Sequence, residues 1–194
     1  KGKSAFGHYE FYDTAETVLN ANDGLQNVSE QILKALCYVY IKSLGDQPVN
    51  HICNFLFYWL GDILLKNLDN KLSYYRVIHE LLAILKNHNN DQICKFTYTY
   101  MDEDIFKKIK LIFGYTEDYV NYVLDLANPN SVCNEQYNLY LTTYVETYKE
   151  SYAKCIVQNE TDKYCEAFKK YYNYEKHSKL HNWSCTLKNR LNLL

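Results

Sequence analysis

Apolar residues recur at intervals of three and four along most of the chain, the spacing of a helix face and not of a strand. After Asn27 and Glu30, placed as in a capping box, Ile32, Leu36, Tyr40 and Leu44 share one face with Leu33, Cys37 and Ile41 beside them. Gly45 ends that run. Over about 49–67, Ile52, Leu56, Trp59, Leu60 and Ile63 form the hydrophobic centre of the sequence. A third helix, over about 72–87, carries Tyr75, Ile78, Leu82 and Leu85. The polar run His88, Asn89, Asn90, Asp91 then predicts an exposed connection, where variation costs least.

Asp102, Glu103 and Asp104 read as a helical first turn whose carboxylates complement the N-terminal partial charge. Gly114 predicts a break between helices over 104–113 and 117–127, and Asn128 with Pro129 stops the second. A long helix over about 131–156 aligns Cys133, Tyr137, Tyr140, Tyr144, Tyr148 and Tyr152, flanked by Leu141 and Val145. Such a stripe reads as core or helix seam, with an exposed ligand platform as the alternative. From Thr161 a last helix carries Tyr164, Cys165, Phe168 and Tyr172, and a tail holds Trp183 and Cys185. Only 6 Gly and 2 Pro argue against the turn-dense connections of a β-sandwich. The expectation is an all-α, disulfide-stabilised helical bundle forming one domain over 1–194, in which 131–194 is a C-terminal helical hairpin subdomain.

Composition adds exclusions. With 21 Lys+Arg against 23 Asp+Glu the net charge is -2, so no generic attraction to nucleic acid or anionic lipid is expected. The longest apolar run, 55–60, falls well short of the roughly 20 residues that span a bilayer. The opening at Lys1, with neither an initiator Met nor a signal peptide, reads as a mature segment or a portion of something larger. Arg76 and Arg190 are the only arginines, and Lys, Asn, Ile and the 21 tyrosines all have A/T-heavy codons. Tyrosine richness therefore reflects base composition as much as binding.

Seven cysteines, Cys37, Cys53, Cys94, Cys133, Cys155, Cys165 and Cys185, show no Cys-x-x-Cys pair, so zinc-ribbon spacing is absent. They fit either a reducing compartment, as buried small hydrophobes, or an oxidising one, as bridges. Cys155 and Cys165 straddle a predicted helical hairpin at similar distances, which favours a bridge closing 158–162. Sequons at Asn27, Asn159 and Asn182 are compatible with export, and equally with a cap and turns in an Asn-rich chain. His177, His181 and Cys185 would align on a continuous helix as metal ligands, but no fourth ligand is evident and the intervening sequence is a poor helix former. His51 and Cys53 are two residues apart, which does not bring a base to a thiol on one helix. Gly2, Lys3 and Ser4 lack the rest of a phosphate-binding loop, and Phe6, Tyr9, Phe11 and Tyr12 read as packing residues. His79 and Glu80 stand without a second histidine. No catalytic residue, cofactor, metal or small-molecule substrate is expected.

The run Cys53-Asn54-Phe55-Leu56-Phe57-Tyr58-Trp59-Leu60-Gly61-Asp62 resembles the Cys-x-x-Leu-x-Tyr-Trp-Leu-Tyr-Asp core of the malaria-parasite variant surface proteins called PIR, or VIR in the vivax lineage. Ile93-Cys94-Lys95 with the charged helix of 104–110 is similar to that family's next cysteine and helix, and 132–137, 152–155 and 164–165 resemble its C-terminal cysteine ladder. Gly61 stands where the family usually has Tyr, and no cysteine precedes Cys37. The resemblance implies a helical ectodomain of a protein exported to the infected red-cell surface or an associated membrane compartment. Membrane attachment would lie in other parts of the full-length protein. It also implies binding to a host cell-surface protein receptor, an immune receptor among the candidates, in immune evasion or adhesion, without enzymatic activity. The rival expectation is an intracellular structural or trafficking protein of the infected red cell with reduced cysteines. Cys53 with Cys94 and Cys133 with Cys185 are the further pairings expected, leaving Cys37 free. Receptor contacts are expected on the loops at Asn87, His88, Asn89 and Asn90 and at Asn159 and Glu160.

Overall fold

In a computed structural model that describes residues 11–45, 48–95, 100–127, 132–179 and 183–187, the apolar stripes become helices. Gly2, Lys3, Ser4, Phe6, Tyr9, Asn128, Pro129, Ser131, His181, Asn182 and Arg190 lie outside the described residues. The chain divides into two compact units, 1–102 and 103–194.

The first unit contains α1 (Phe11–Asn20), α2 (Ser29–Ser43), α3 (Asn50–Asn67), a 3-10 turn (Lys71–Ser73) and α4 (Tyr74–Ile84). α1 packs on α2 and α4, and α3 packs on α2 and α4. Their facing sides bury Leu19, Ile32, Leu36, Leu56, Leu60, Leu64, Val77, Ile78 and Leu81. Ile52, Trp59 and Ile63 are only half-buried, and Leu44 is 59% exposed. A step of four residues drifts by about 40° around a 3.6-residue helix. The line from Ile32 through Leu36 and Tyr40 to Leu44 therefore rotates off the core, and Val39 takes the buried position instead. The capping box does not form. Val28 occupies the cap position without a side-chain bond, and Glu30 pairs with Lys34 at 2.8 Å. The chain is already turning before it, since the Val28 N–H donates to the Leu25 carbonyl and the Ile32 N–H to that of Val28. Gly24 adopts φ +91°, and a Cβ there would overlap the Asn67 carbonyl, so only glycine fits this connection.

In the second unit α5 (Glu103–Leu126) runs straight through Gly114, contrary to the expected break. A helical glycine costs only about 1 kcal/mol relative to Ala. A Cβ there would meet the Tyr140 hydroxyl only in ordinary contact, at 3.5 Å, and Thr116 donates its hydroxyl to the Ile112 carbonyl inside the same helix. β1 (Val132–Cys133) pairs in parallel with β2 (Thr186–Leu187), Val132 opposite Thr186. α6 (Glu135–Tyr152) starts later than the pattern predicts because Asn134 caps it, accepting the Tyr137 N–H at 2.8 Å. It ends in a π-helical turn (Ala153–Val157). α7 (Lys163–Tyr171) is capped by Asp162 and α8 (Tyr174–His177) by Asn173. The fold is all-α and disulfide-stabilised.

Candidate binding surface

Three disulfides join Cys53 to Cys94, Cys133 to Cys185 and Cys155 to Cys165, with Cα separations of 5.4, 5.9 and 5.0 Å. Cys37 is unbridged and buried, and burial pushes its thiol up from the ordinary cysteine value. Each bridge stands beside a connection. The first ties α3 to the end of the loop that leaves α4, the second flanks the β1–β2 pair, and the third closes the α6–α7 hairpin.

The 86–92 loop is internally ordered. Lys86 and Gln92 form an antiparallel bridge, and the Ile93 N–H donates to the Leu85 carbonyl at 2.9 Å. Between them the Asn87 side-chain oxygen accepts from the Asn89 and Asp91 amides at 3.0 and 2.9 Å, while Asn90 takes φ 64°. Asn suits both tasks, because its short amide mimics a backbone turn and tolerates the left-handed region. His88, Asn89 and Asn90 stay exposed and Asn87 is half-buried. This loop is one wall of a cleft of about 560 Å³ lined also by Phe11 and Thr14 of α1, Tyr40 of α2, and Ala83 and Ile84 of α4. The Phe11 and Tyr40 rings lie 5.2 Å apart, tilted by 45°.

The 158–162 tip is built differently. Asn159 also takes positive φ, 54°, but Lys154 reaches across to Asp162 at 2.6 Å and Glu160 at 3.6 Å, and its ammonium lies 5.3 Å over the Tyr164 ring. Lys154, then the Cys165 amide, hold the Asp162 carboxyl below the usual carboxylate range. Asn159 and Glu160 are exposed, yet the carboxylates around them are already engaged by the chain's own lysine.

The tyrosine stripe resolves into core and margin. Tyr144 and Tyr148 are buried, Tyr137 and Tyr152 half-buried, and Tyr140 39% exposed. Tyr115 stacks on Tyr144 at 4.2 Å and on Tyr122 at 5.5 Å, and Trp183 stacks on Tyr119. His177 is fully buried against Tyr148, Tyr115 and Tyr172, with Nδ1 engaged by Asn173 and Nε2 unpartnered among the described residues. Cys185 is committed to its disulfide, so the alignment of His177, His181 and Cys185 weighed as metal ligands has no thiolate, and His181 lies outside the described residues. Cys53 is likewise oxidised, and His51 packs edge-on against Phe55. Among the described residues no helix is long and apolar enough to cross a membrane.

The aromatic part of the cleft escaped sequence reading. Phe11 was legible only as a packing residue, and Tyr40 as one position of a core stripe. The signal that could have found it is the drift of that stripe off the core. No curated protein and no solved structure matches the chain. The family model described as Plasmodium vivax Vir protein matches residues 1–193, nearly the entire chain, and the protein belongs to that family of variant surface antigens.

Proposed function

We propose that this chain is a non-enzymatic binding module, exposed outside the infected red cell or in an associated compartment, that engages a host cell-surface protein in immune evasion or adhesion. The observation that carries the reading is the 86–92 loop. It is polar, exposed and shaped by its own hydrogen bonds, it is anchored beside the Cys53–Cys94 bridge, and it borders a cleft with two aromatic rings. A loop fixed in this way accepts side-chain replacement without disturbing the helices below it, which suits a surface that must vary and still bind. Three bridges favour an oxidising compartment over the reduced-cysteine alternative. The test is a screen of the chain, displayed as an avid multimer, against a library of host cell-surface receptors. Reproducible capture of a receptor supports the reading, and absence of any specific capture by a correctly oxidised multimer counts against it.

A further inference from the structure

We infer that the Cys133–Cys185 bridge is a site of thiol–disulfide exchange, opened by a small dithiol while the other two bridges stay closed, and that its opening unlatches Trp183 from the aromatic rings of α5. Cys133 and Cys185 are both only half-buried, and both line a cleft of about 340 Å³ beside Leu126 and Tyr137. The other four bridged cysteines are sealed, Cys53 at 3% exposure and Cys94, Cys155 and Cys165 at none. Exchange requires a thiolate to reach a sulfur atom, so access decides which bridge reacts.

In the first step a thiolate of the dithiol attacks one sulfur, breaking the Cys133–Cys185 bond and forming a mixed disulfide. Its second thiol then displaces the protein sulfur. The two cysteines together gain two electrons and two protons, and the dithiol leaves as its cyclic disulfide. The strand that is freed has a slight hold on the rest. β2 pairs with β1 over two residues each, and Val132, Thr186 and Leu187 are all exposed, so the pairing buries little apolar surface. Cys155 and Cys165 stand instead on the π-helical turn and α7, which pack on each other and hold the two sulfurs together for reclosure. Trp183, two residues before Cys185, has its ring 5.7 Å from Tyr115, 5.9 Å from Tyr119 and 6.2 Å from Tyr122. Release of the strand withdraws the indole and turns an aromatic face of α5 toward solvent, a face that the closed bridge covers.

The experiment exposes the intact, oxidised chain, in a Trp59→Phe background, to dithiothreitol. Samples are alkylated with iodoacetamide at intervals and mapped by peptide mass spectrometry, with Trp183 emission and helical circular dichroism followed in parallel. Cys133 and Cys185 are expected to be alkylated at least about tenfold faster than Cys53, Cys94, Cys155 and Cys165. In the same phase Trp183 emission should move to longer wavelength while the helical signal persists. A Cys133→Ser, Cys185→Ser variant should show the shifted emission without reductant. The inference is overturned if another bridge opens first or at a comparable rate, if Trp183 emission is unchanged when Cys133 and Cys185 open, or if the helical signal collapses with them. The order of alkylation is read on the chain's own bridges, so it decides the question even where the serine variant fails to fold.

Discussion

Residues 1–102 bury mostly aliphatic side chains, with Leu19, Leu25, Ile32, Leu36, Leu60, Leu64, Val77, Ile78 and Leu81 essentially inaccessible, and use one disulfide. Residues 103–194 bury a larger share of rings, although Phe57, Tyr58 and Tyr74 are buried in the first unit and Ile109 and Ile112 in the second. Phe106, Tyr115, Tyr144, Tyr148, Tyr164, Phe168 and His177 fill the interior, and two disulfides hold it. Aliphatic burial leaves no polar atom to satisfy, whereas each buried phenol or imidazole brings one. The Ser151 and Tyr164 hydroxyls satisfy each other. Among the described residues the Tyr144 hydroxyl and His177 Nε2 find no partner, and such groups cost stability. The lesson is that buried rings gain area and bring polar atoms to satisfy, a burden the second unit meets more often than the first, where His79 Nε2 is likewise without a partner among the described residues.

The largest effect expected from that contrast is on the bridges. Replacing Cys133 and Cys185 with Ala opens a closure spanning 52 residues, worth about 4 kcal/mol by loop entropy, and opening the 10-residue closure at Cys155 and Cys165 removes about 2 to 3 kcal/mol. The two tryptophans report the units separately, Trp59 in the first and Trp183 in the second. Full reduction should lower the denaturation midpoint seen at Trp183, in a Trp59→Phe background, more than that seen at Trp59, in a Trp183→Phe background. Equal shifts would break the contrast.

Next in size, Leu60→Ala empties a fully buried aliphatic site and should cost about 3 kcal/mol at the Trp59 probe. A pH series sharpens the comparison. Burial holds His177 below its ordinary value of 6.5, so the unfolded chain takes up a proton before the folded one does. Stability from this site is therefore complete above about pH 6.5 and is lost as pH falls toward the lower folded value. His177→Phe should remove that acid slope at Trp183. His79 of the first unit, also lowered by burial, should leave its own slope at Trp59 unaffected by the change. The smallest effect is Tyr144→Phe, which deletes an orphaned hydroxyl and should be neutral or stabilising by up to about 1 kcal/mol in a thermal melt.

Helix existence was legible because three-and-four spacing reports burial directly, as Leu56 and Leu60 illustrate. Local chemistry was less legible. Gly114 looked like a terminator, yet the helix runs through it, because one glycine costs a 24-residue helix little. Asn27 and Glu30 carried a cap signature that a preceding turn overrode. The polarity of 87–91 placed a loop, but not the Asn87 oxygen that shapes it, nor the Phe11 and Tyr40 rings beside it, because a cleft is a property of three helices and not of one segment.

The central claim is that shape and recognition reside in different residues. Its most direct test measures affinity for a captured receptor and melting temperature together, for His88→Ala with Asn90→Gly and for Tyr148→Ala. Because Asn90→Gly keeps φ 64° without strain, the account predicts that the loop variant weakens binding about tenfold or more while its melting temperature stays nearly fixed, and that the Tyr148 variant loses stability first and affinity only as a consequence. A loop variant that binds like the parent, or a Tyr148 variant that loses affinity at full stability, would contradict it.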